Sequence, residues 1–371
     1  MSASPSLLTM IVGFILLLGP LIVVHELGHY LVGRLFGIKA EAFSVGFGKE
    51  LAGFTDRRGT RWKLSALPLG GYVQFAGDMN PASAPAPGQD GLTPEQRAVT
   101  FHSKPLWQRA LVVAAGPVTN LICAVAIFAA FNLAYGHVVG VPEVASFEAG
   151  SPAQAAGMKV GDRIIAINGN KVENFADIPE HVLPYPGRTV TVAVKRGEQT
   201  VIFPVKIGEK VETDRFGNEA RIGRIGVAGG RGEIVPVGPV EAVSLGAEQT
   251  WGVMRMIVAG LGQIITGERS VKELGGPIKI AKYSGEQLSL GWAPFVGFAA
   301  LISINLAFIN LLPIPGLDGG HLAFYAAEAV RRKPMDLRSQ EWAVRTGVAL
   351  VLTLMLFVTI NDLVSLPVFG G

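Results

Sequence analysis

The chain has 371 residues, a mean hydropathy of +0.40 and 16% charged residues, which sets it apart from a soluble protein of two or three domains and places it in the membrane class. Its formal net charge is +3 and no basic run is interleaved with aromatics, so nucleic acid is excluded as an expected partner. The single cysteine, Cys123, sits in an apolar run where it reads as packing, and no disulfide framework is expected.

Residues 1–36 are expected to hold a first membrane helix, apolar over 7–32, since about 20 helical residues cross a hydrocarbon core. No basic residue precedes the apolar run and no small-residue cleavage pattern follows it, so it reads as a retained helix and not a signal peptide. Residues 37–104 form a connection in which 41–75 read as β-structure, with strands at 42–48 and 62–67 and a turn at Asp56-Arg57-Arg58-Gly59. Such a sheet, directly after a membrane helix, can lean into the bilayer or against its own helices. Residues 80–94, rich in Pro, Ala and Gly, read as a loop.

A second membrane helix is expected in 105–137, apolar over 111–135. Residues 138–210 contain β-like runs at 163–168, 189–195 and 200–207 around the phrase Gly150-Ser151-Pro152-Ala153 and, further on, Gly161-Asp162. The linker 211–290 carries an amphipathic helix. In it Val240, Val243, Ala247, Trp251, Met254, Val258, Leu261 and Ile265 recur at steps of three and four on one face, which could rest on the membrane–water interface or pack on the β-rich domain. A third membrane helix is expected in 291–320, apolar over 293–312, then a loop at 321–342. A fourth follows in 343–371, apolar over 346–366 and shortened by Asn361 and Asp362.

Basic residues orient these spans. The first connection carries Arg34, Lys39, Lys49, Arg57, Arg58, Arg61, Lys63, Arg97 and Lys104, the last carries Arg331, Arg332, Lys333 and Arg338, and neither terminal tail has any. The positive-inside rule makes both connections cytoplasmic and leaves both termini and the segment 137–292 outside.

The sharpest chemical signal is His25-Glu26-Leu27-Gly28-His29. Residues four apart share a helical face, so both imidazoles can reach one metal ion while Glu26 stands beside it to take a proton from water. Imidazole ligands and an open position for water point to zinc. The three ionisable groups follow an uncharged stretch of more than twenty residues, and such groups inside a bilayer are costly unless paired, metal-bound or functional. Two histidines leave the ion short of a ligand. The candidate is Asp318, at the end of Asn310-Leu311-Leu312-Pro313-Ile314-Pro315-Gly316-Leu317-Asp318, where prolines forbid a continuous helix and the irregular backbone must be buried or line a wet cavity. His321 could compete for that role. His102, His137 and His181 read as surface residues. About eighteen residues precede His25 in its span, so an outer N-terminus puts the metal toward the cytoplasmic leaflet.

The stretch from Gly150 to Asp162 resembles the PDZ domains of bacterial envelope proteases, which bind extended peptides by strand addition. With the HExxH in the first membrane helix and the Leu-Asp-Gly after the third, the chain resembles the site-2 protease family of intramembrane zinc metalloproteases, in its bacterial sigma-E-regulating branch. Further matches are Gly46-Phe47-Gly48, Pro68-Leu69-Gly70-Gly71-Tyr72-Val73, Lys104 to Arg109, Gly116-Pro117 with Asn120, and Gly275-Gly276-Pro277-Ile278. The resemblance implies an α-helical membrane protein with four transmembrane helices, a membrane-associated β-region on the cytoplasmic side and one periplasmic PDZ domain in a bacterial inner membrane. It implies Zn2+ held by His25, His29 and Asp318, and Glu26 as general base. Asn310 and Asn305 would contact substrate, and the region of Gly46 and Gly48 would offer it an edge strand. The implied partners are single-span membrane proteins already cut on the periplasmic side, of anti-sigma-factor or remnant-signal-peptide type, together with peptide termini at the PDZ domain and the lipid bilayer. Relatives with two tandem PDZ domains filter substrates by size, whereas the spacing here leaves room for one. A membrane metal carrier, or a PDZ scaffold without proteolytic activity, is the alternative.

Overall fold

The computed structural model describes residues 5–77, 93–213, 219–230, 232–267, 271, 274–333 and 335–364. Nearly all of the loop expected at 80–94 lies outside the described residues. The chain falls into two compact units, Met1–Ile127 with Gly276–Ile360, and Phe128–Gly275 with Asn361–Gly371.

In the first unit, α1 (Leu7–Leu35) starts at Ser6, whose hydroxyl accepts the Thr9 N–H at 3.1 Å. The strands β1 (Ala40–Thr55) and β2 (Arg61–Phe75) are longer than the sequence predicts. Gly46 and Gly48, at φ +92° and +85°, bend the first strand without ending it. Asp56 closes the turn, its Oδ1 accepting the N–H groups of Arg58 and Thr60 at 2.8 and 2.9 Å and its Oδ2 the Trp62 indole N–H at 3.0 Å. Phe43 faces Val73 on one side and Trp62 on the other, so the first half of β1 lies between the two halves of β2. Phe47, Leu51, Phe54, Leu64 and Leu67 are exposed. The short helix α2 (Pro94–Ala98) precedes α3 (Leu106–Tyr135). Gly28 lets α1 and α3 meet at backbone distance, because a Cβ there would lie 2.4 Å from the Ala115 carbonyl oxygen.

The second unit is β-rich. It comprises β3 (His137–Val139), β4 (Val144–Phe147), α4 (Pro152–Ala155), β5 (Arg163–Ile167), β6 (Asn170–Lys171), α5 (Ile178–Val182), β7 (Thr189–Arg196) and β8 (Gln199–Lys206). Asn168 and Gly169, at φ +48° and +81°, turn the chain from β5 into β6. This body extends past the boundary expected at 210. A hairpin of β9 (Gly208–Thr213) and β10 (Glu219–Arg224) follows, then β11 (Val227–Gly229) pairs with β4 and β12 (Glu233–Val235) with β3. Ile225, buried in the same core as Ile164, Val192 and Val205, gives the apolar reason. Asp162 is 1% exposed and receives two 2.7 Å hydrogen bonds from Arg196 and one of 2.8 Å from the Lys159 N–H. The Arg196 guanidinium holds its carboxyl below the usual carboxylate range. A carboxyl depressed in the folded state stabilises fully above its unfolded value near ~4 and loses that contribution as pH falls through the folded value. Asp162→Asn should therefore cost about 2 kcal/mol at pH 7 and flatten the acid limb of the unit's unfolding curve, readable by denaturation at several pH values.

Helix α6 (Pro239–Ile265) matches its prediction in extent but turns the other way from a globular amphipathic helix. Its small and polar residues Ala242, Gly246, Thr250, Gly252 and Gln263 are buried, whereas Val240, Trp251 and Ile265 of the apolar stripe are 86%, 62% and 77% exposed. It packs on α5, where Arg255 pairs with Glu180 at 2.8 Å and Gln263 bonds the Pro184 carbonyl. Its Gln249 accepts from Asn132, near the end of α3, at 3.3 Å.

Returning to the first unit, α7 (Pro277–Leu290) was not foreseen as a helix. It meets α1 at backbone distance, since a Cβ on Gly13 would lie 2.9 Å from the Ser284 carbonyl group. After α8 (Trp292–Leu311) comes a short irregular stretch, then α9 (Asp318–Arg331), where the sequence suggests a loop, and α10 (Leu337–Val364). Among the described residues, four helices, Leu7–Leu35, Leu106–Tyr135, Trp292–Leu311 and Arg338–Leu363, are long and apolar enough to cross a membrane.

Candidate metal centre

His25 and His29 lie one turn apart near the end of α1, each 12% exposed. Asp318 opens α9, which starts there because Pro313 and Pro315 stop α8. Leu312, before the first proline, is forced to extended backbone at ψ 139°, and Gly316 turns the chain at φ +96°. Gly319 permits the return, as a Cβ there would lie 2.3–2.5 Å from the carbonyls of Leu311 and Leu312. Two distant segments thus meet. Among the described residues, His25, His29 and Asp318 form a group of the kind that could hold a metal ion, and His321 is not part of it.

The spacing fits zinc. Asp318 Oδ2 lies 3.2 Å from His25 Nε2 and 3.5 Å from His29 Nε2, and the two ring nitrogens are 3.3 Å apart. Ligand atoms about 2.0–2.1 Å from a tetrahedral zinc ion stand about 3.3–3.4 Å from one another. Asp318 Oδ2 is buried and accepts no hydrogen bond, so three lone-pair donors converge on one point. His29 donates its Nδ1–H to the Val112 carbonyl at 2.8 Å, which keeps the Nε2 lone pair free for metal.

Sequence reasoning placed the second membrane helix and named Gly116 and Asn120 only as family matches, and it missed that this helix orders the rings. On α3, Arg109, Val112, Gly116 and Asn120 are three and four residues apart and share one face. Gly116 makes room for both imidazoles, because a Cβ there would lie 2.3 Å from His29 Nε2 and 2.8 Å from His25 Cε1. The fully buried Asn120 places its side-chain amide 3.3 Å from His25 Nδ1, and its Oδ1 has no partner. Turning that amide by 180° lets Oδ1 accept the Nδ1–H and frees Nε2 for the metal, as the neighbouring Val112 carbonyl does for His29. The signal was a polar Asn in an apolar run, four residues after a glycine. Asn120→Leu should weaken zinc affinity about 10- to 100-fold, with Asn120→Asp closer to the unmodified protein, as read by competition with a chelating dye.

Glu26 is 8% exposed and lies against β2. Gly71 lets the strand come this near, since a Cβ there would lie 3.0 Å from Glu26 Cγ. Of the other candidates, Asn310 donates to the Leu306 carbonyl one turn back at 3.1 Å and Asn305 is half-buried on α8. Gly46 lies against the carbonyls of Ser65 and Leu67, and Gly48 has open space beside it apart from a Leu67 methyl. His102, His137 and His181 are half-buried where exposure was expected, and none joins the metal group.

The family model described as Peptidase family M50 matches residues 13–354. A protein of Agrobacterium fabrum named as a zinc metalloprotease is 44% identical over 371 residues, 99% of this chain and 98% of that one. One of Rhizobium meliloti with the same kind of name is 43% identical over 355 residues, 94% and 95% of the two chains. Metalloprotease MmpA of Caulobacter vibrioides is 35% identical over 388 residues, 98% and 97%. Agreement running nearly end to end shows that the chain belongs to peptidase family M50, a zinc metalloprotease among apolar helices of a multi-pass membrane protein.

Proposed function

We infer that this metalloprotease hydrolyses peptide bonds inside the transmembrane segments of single-span proteins, as a step of regulated intramembrane proteolysis. The observation that carries the reading is the siting of the metal group on α1, a helix apolar and long enough to cross a membrane. In this reading His25, His29 and Asp318 are the zinc ligands. Bound zinc supplies a Lewis acid for the scissile carbonyl and acidifies water. Glu26 takes the proton from the attacking water and hands it to the leaving nitrogen, so that hydroxyl ends on the carbonyl carbon and hydrogen on the amine. A transmembrane substrate must unwind before it is cut, and β1–β2 near Gly46 and Gly48 would take the unwound strand, with Asn310 and Asn305 touching it.

The exposed apolar residues of β1–β2 and the outward stripe of α6 suit lipid contact, and Gln249 ties α6 to the last turns of a membrane helix. We place both termini and the β-rich unit on the periplasmic side of a bacterial inner membrane, with the metal toward the cytoplasmic leaflet. The β-rich unit would act as the PDZ domain. A groove of about 200 Å³, lined by Phe175, Ile178, Val182, Ile225 and Val227, has room for an apolar side chain of a peptide terminus left by a first, periplasmic cut.

Purified protein in liposomes with a single-span model substrate tests the reading. The expected product ends lie within the substrate's apolar segment, and a zinc chelator abolishes them. Cleavage confined to soluble loops would sink it.

A further inference from the structure

We propose that the buried ion pair Arg109–Glu328 is a positioning device for Asp318, fixing the register of α9 against α3. It rests on Asp318 being a zinc ligand. Arg109 Nη2 lies 3.3 Å from Glu328 Oε2, with the side chains 19% and 8% exposed, and the guanidinium stands 5.0 Å from the Tyr325 ring centroid. The second Glu328 oxygen accepts the Met335 N–H at 3.0 Å, so the same carboxylate also holds the turn that ends α9, where Arg332 is left-handed at φ +54°.

The geometry gives this pair its purpose. Arg109 belongs to the α3 face that bonds His29 through Val112, clears both rings at Gly116 and reaches His25 through Asn120. The imidazoles are thus referenced to α3 directly, while Asp318 sits on another helix. Leu322 and Tyr325 pack in one cluster with Val112 and Val113, but apolar contact is non-directional and tolerates sliding. A slip of one residue moves a helix by about 1.5 Å, whereas ligand distances tolerate about 0.2 Å. A buried charge pair adds little net stability compared with an apolar replacement, yet it accepts one register only.

The test is zinc affinity of the purified, metal-stripped full chain in detergent, by competition with a chelating dye. Glu328→Gln and Arg109→Gln, and the two together, should each weaken binding by the same roughly three- to tenfold. In an Asp318→Ala background, Glu328→Gln should add nothing, because its effect runs through that carboxylate. An unchanged affinity in Glu328→Gln beside a large loss in Asp318→Ala overturns the positioning role and leaves the ligand reading standing. An equal further loss in the Asp318→Ala background marks the pair as merely structural and also overturns it. Full affinity in Asp318→Ala removes the ligand reading itself. Should either single variant fail to fold, the other, of opposite charge, reads the same outcome.

Discussion

Glu26→Gln is expected to lower peptide hydrolysis by about 10²- to 10⁴-fold while zinc content stays that of the unmodified protein. The amide keeps the size and the reach of the carboxylate but cannot take a proton at neutral pH. Glu26 lies outside the group of three convergent ligand atoms, so its loss leaves them in place. The glutamine keeps the Cγ that packs against Gly71 of β2. Product formation by mass spectrometry and zinc by elemental analysis, on one sample, separate the outcomes. Retained activity would end the general-base assignment, and zinc loss would make Glu26 part of the metal's support.

Gly116→Ala should abolish tight zinc binding, with a loss of about 100-fold or more in affinity. The added methyl carbon would sit 2.3 and 2.5 Å from His29 Nε2 and Cε1, on the ligand atom itself. The helices cannot part cheaply to admit it, because at Gly28 they already touch at backbone distance. Gly19→Ala is the control. It lies on α1 with nothing within 4 Å of the added carbon, so zinc binding should be unchanged. An alanine at 116 with normal affinity would show that the imidazoles can turn away and still hold the ion.

Much of this was readable from the chain. The first three apolar runs gave helices to within about five residues, since a membrane helix must satisfy its own backbone and needs little else to define it, whereas α10 starts at Leu337, well before the run expected from 346. HExxH gave two of the three residues that the structure brings together, through helical periodicity, and the proline-broken segment singled out Asp318 as the third. The helix α7 was less legible, because its buried residues Lys279, Lys282 and Ser284 make no apolar stripe. At α6 the periodicity was right and two settings stayed open for the apolar stripe; in the structure small and polar residues pack, Gly252 against Glu180 and Gln263 on the Pro184 carbonyl, while the stripe faces out. Periodicity says which residues share a face, and only tertiary context says what that face meets. Asn120 and Gly116 were named only as family matches, and their role escaped for another reason. Their work is done across an interhelix gap, and no spacing within α3 encodes the ring on the other side.

The partition of the metal group between α1 and α9 bears on how the molecule is made. His29 and Asp318 are almost three hundred residues apart, so a ribosome has released most of the polypeptide before the last donor atom exists. A nascent or truncated product that stops before the α8–α9 bend holds two imidazoles and no carboxylate, and on the proposed ligand set it would lack a complete metal site. In that reading the order of the chain would itself delay assembly of the site until synthesis is nearly finished.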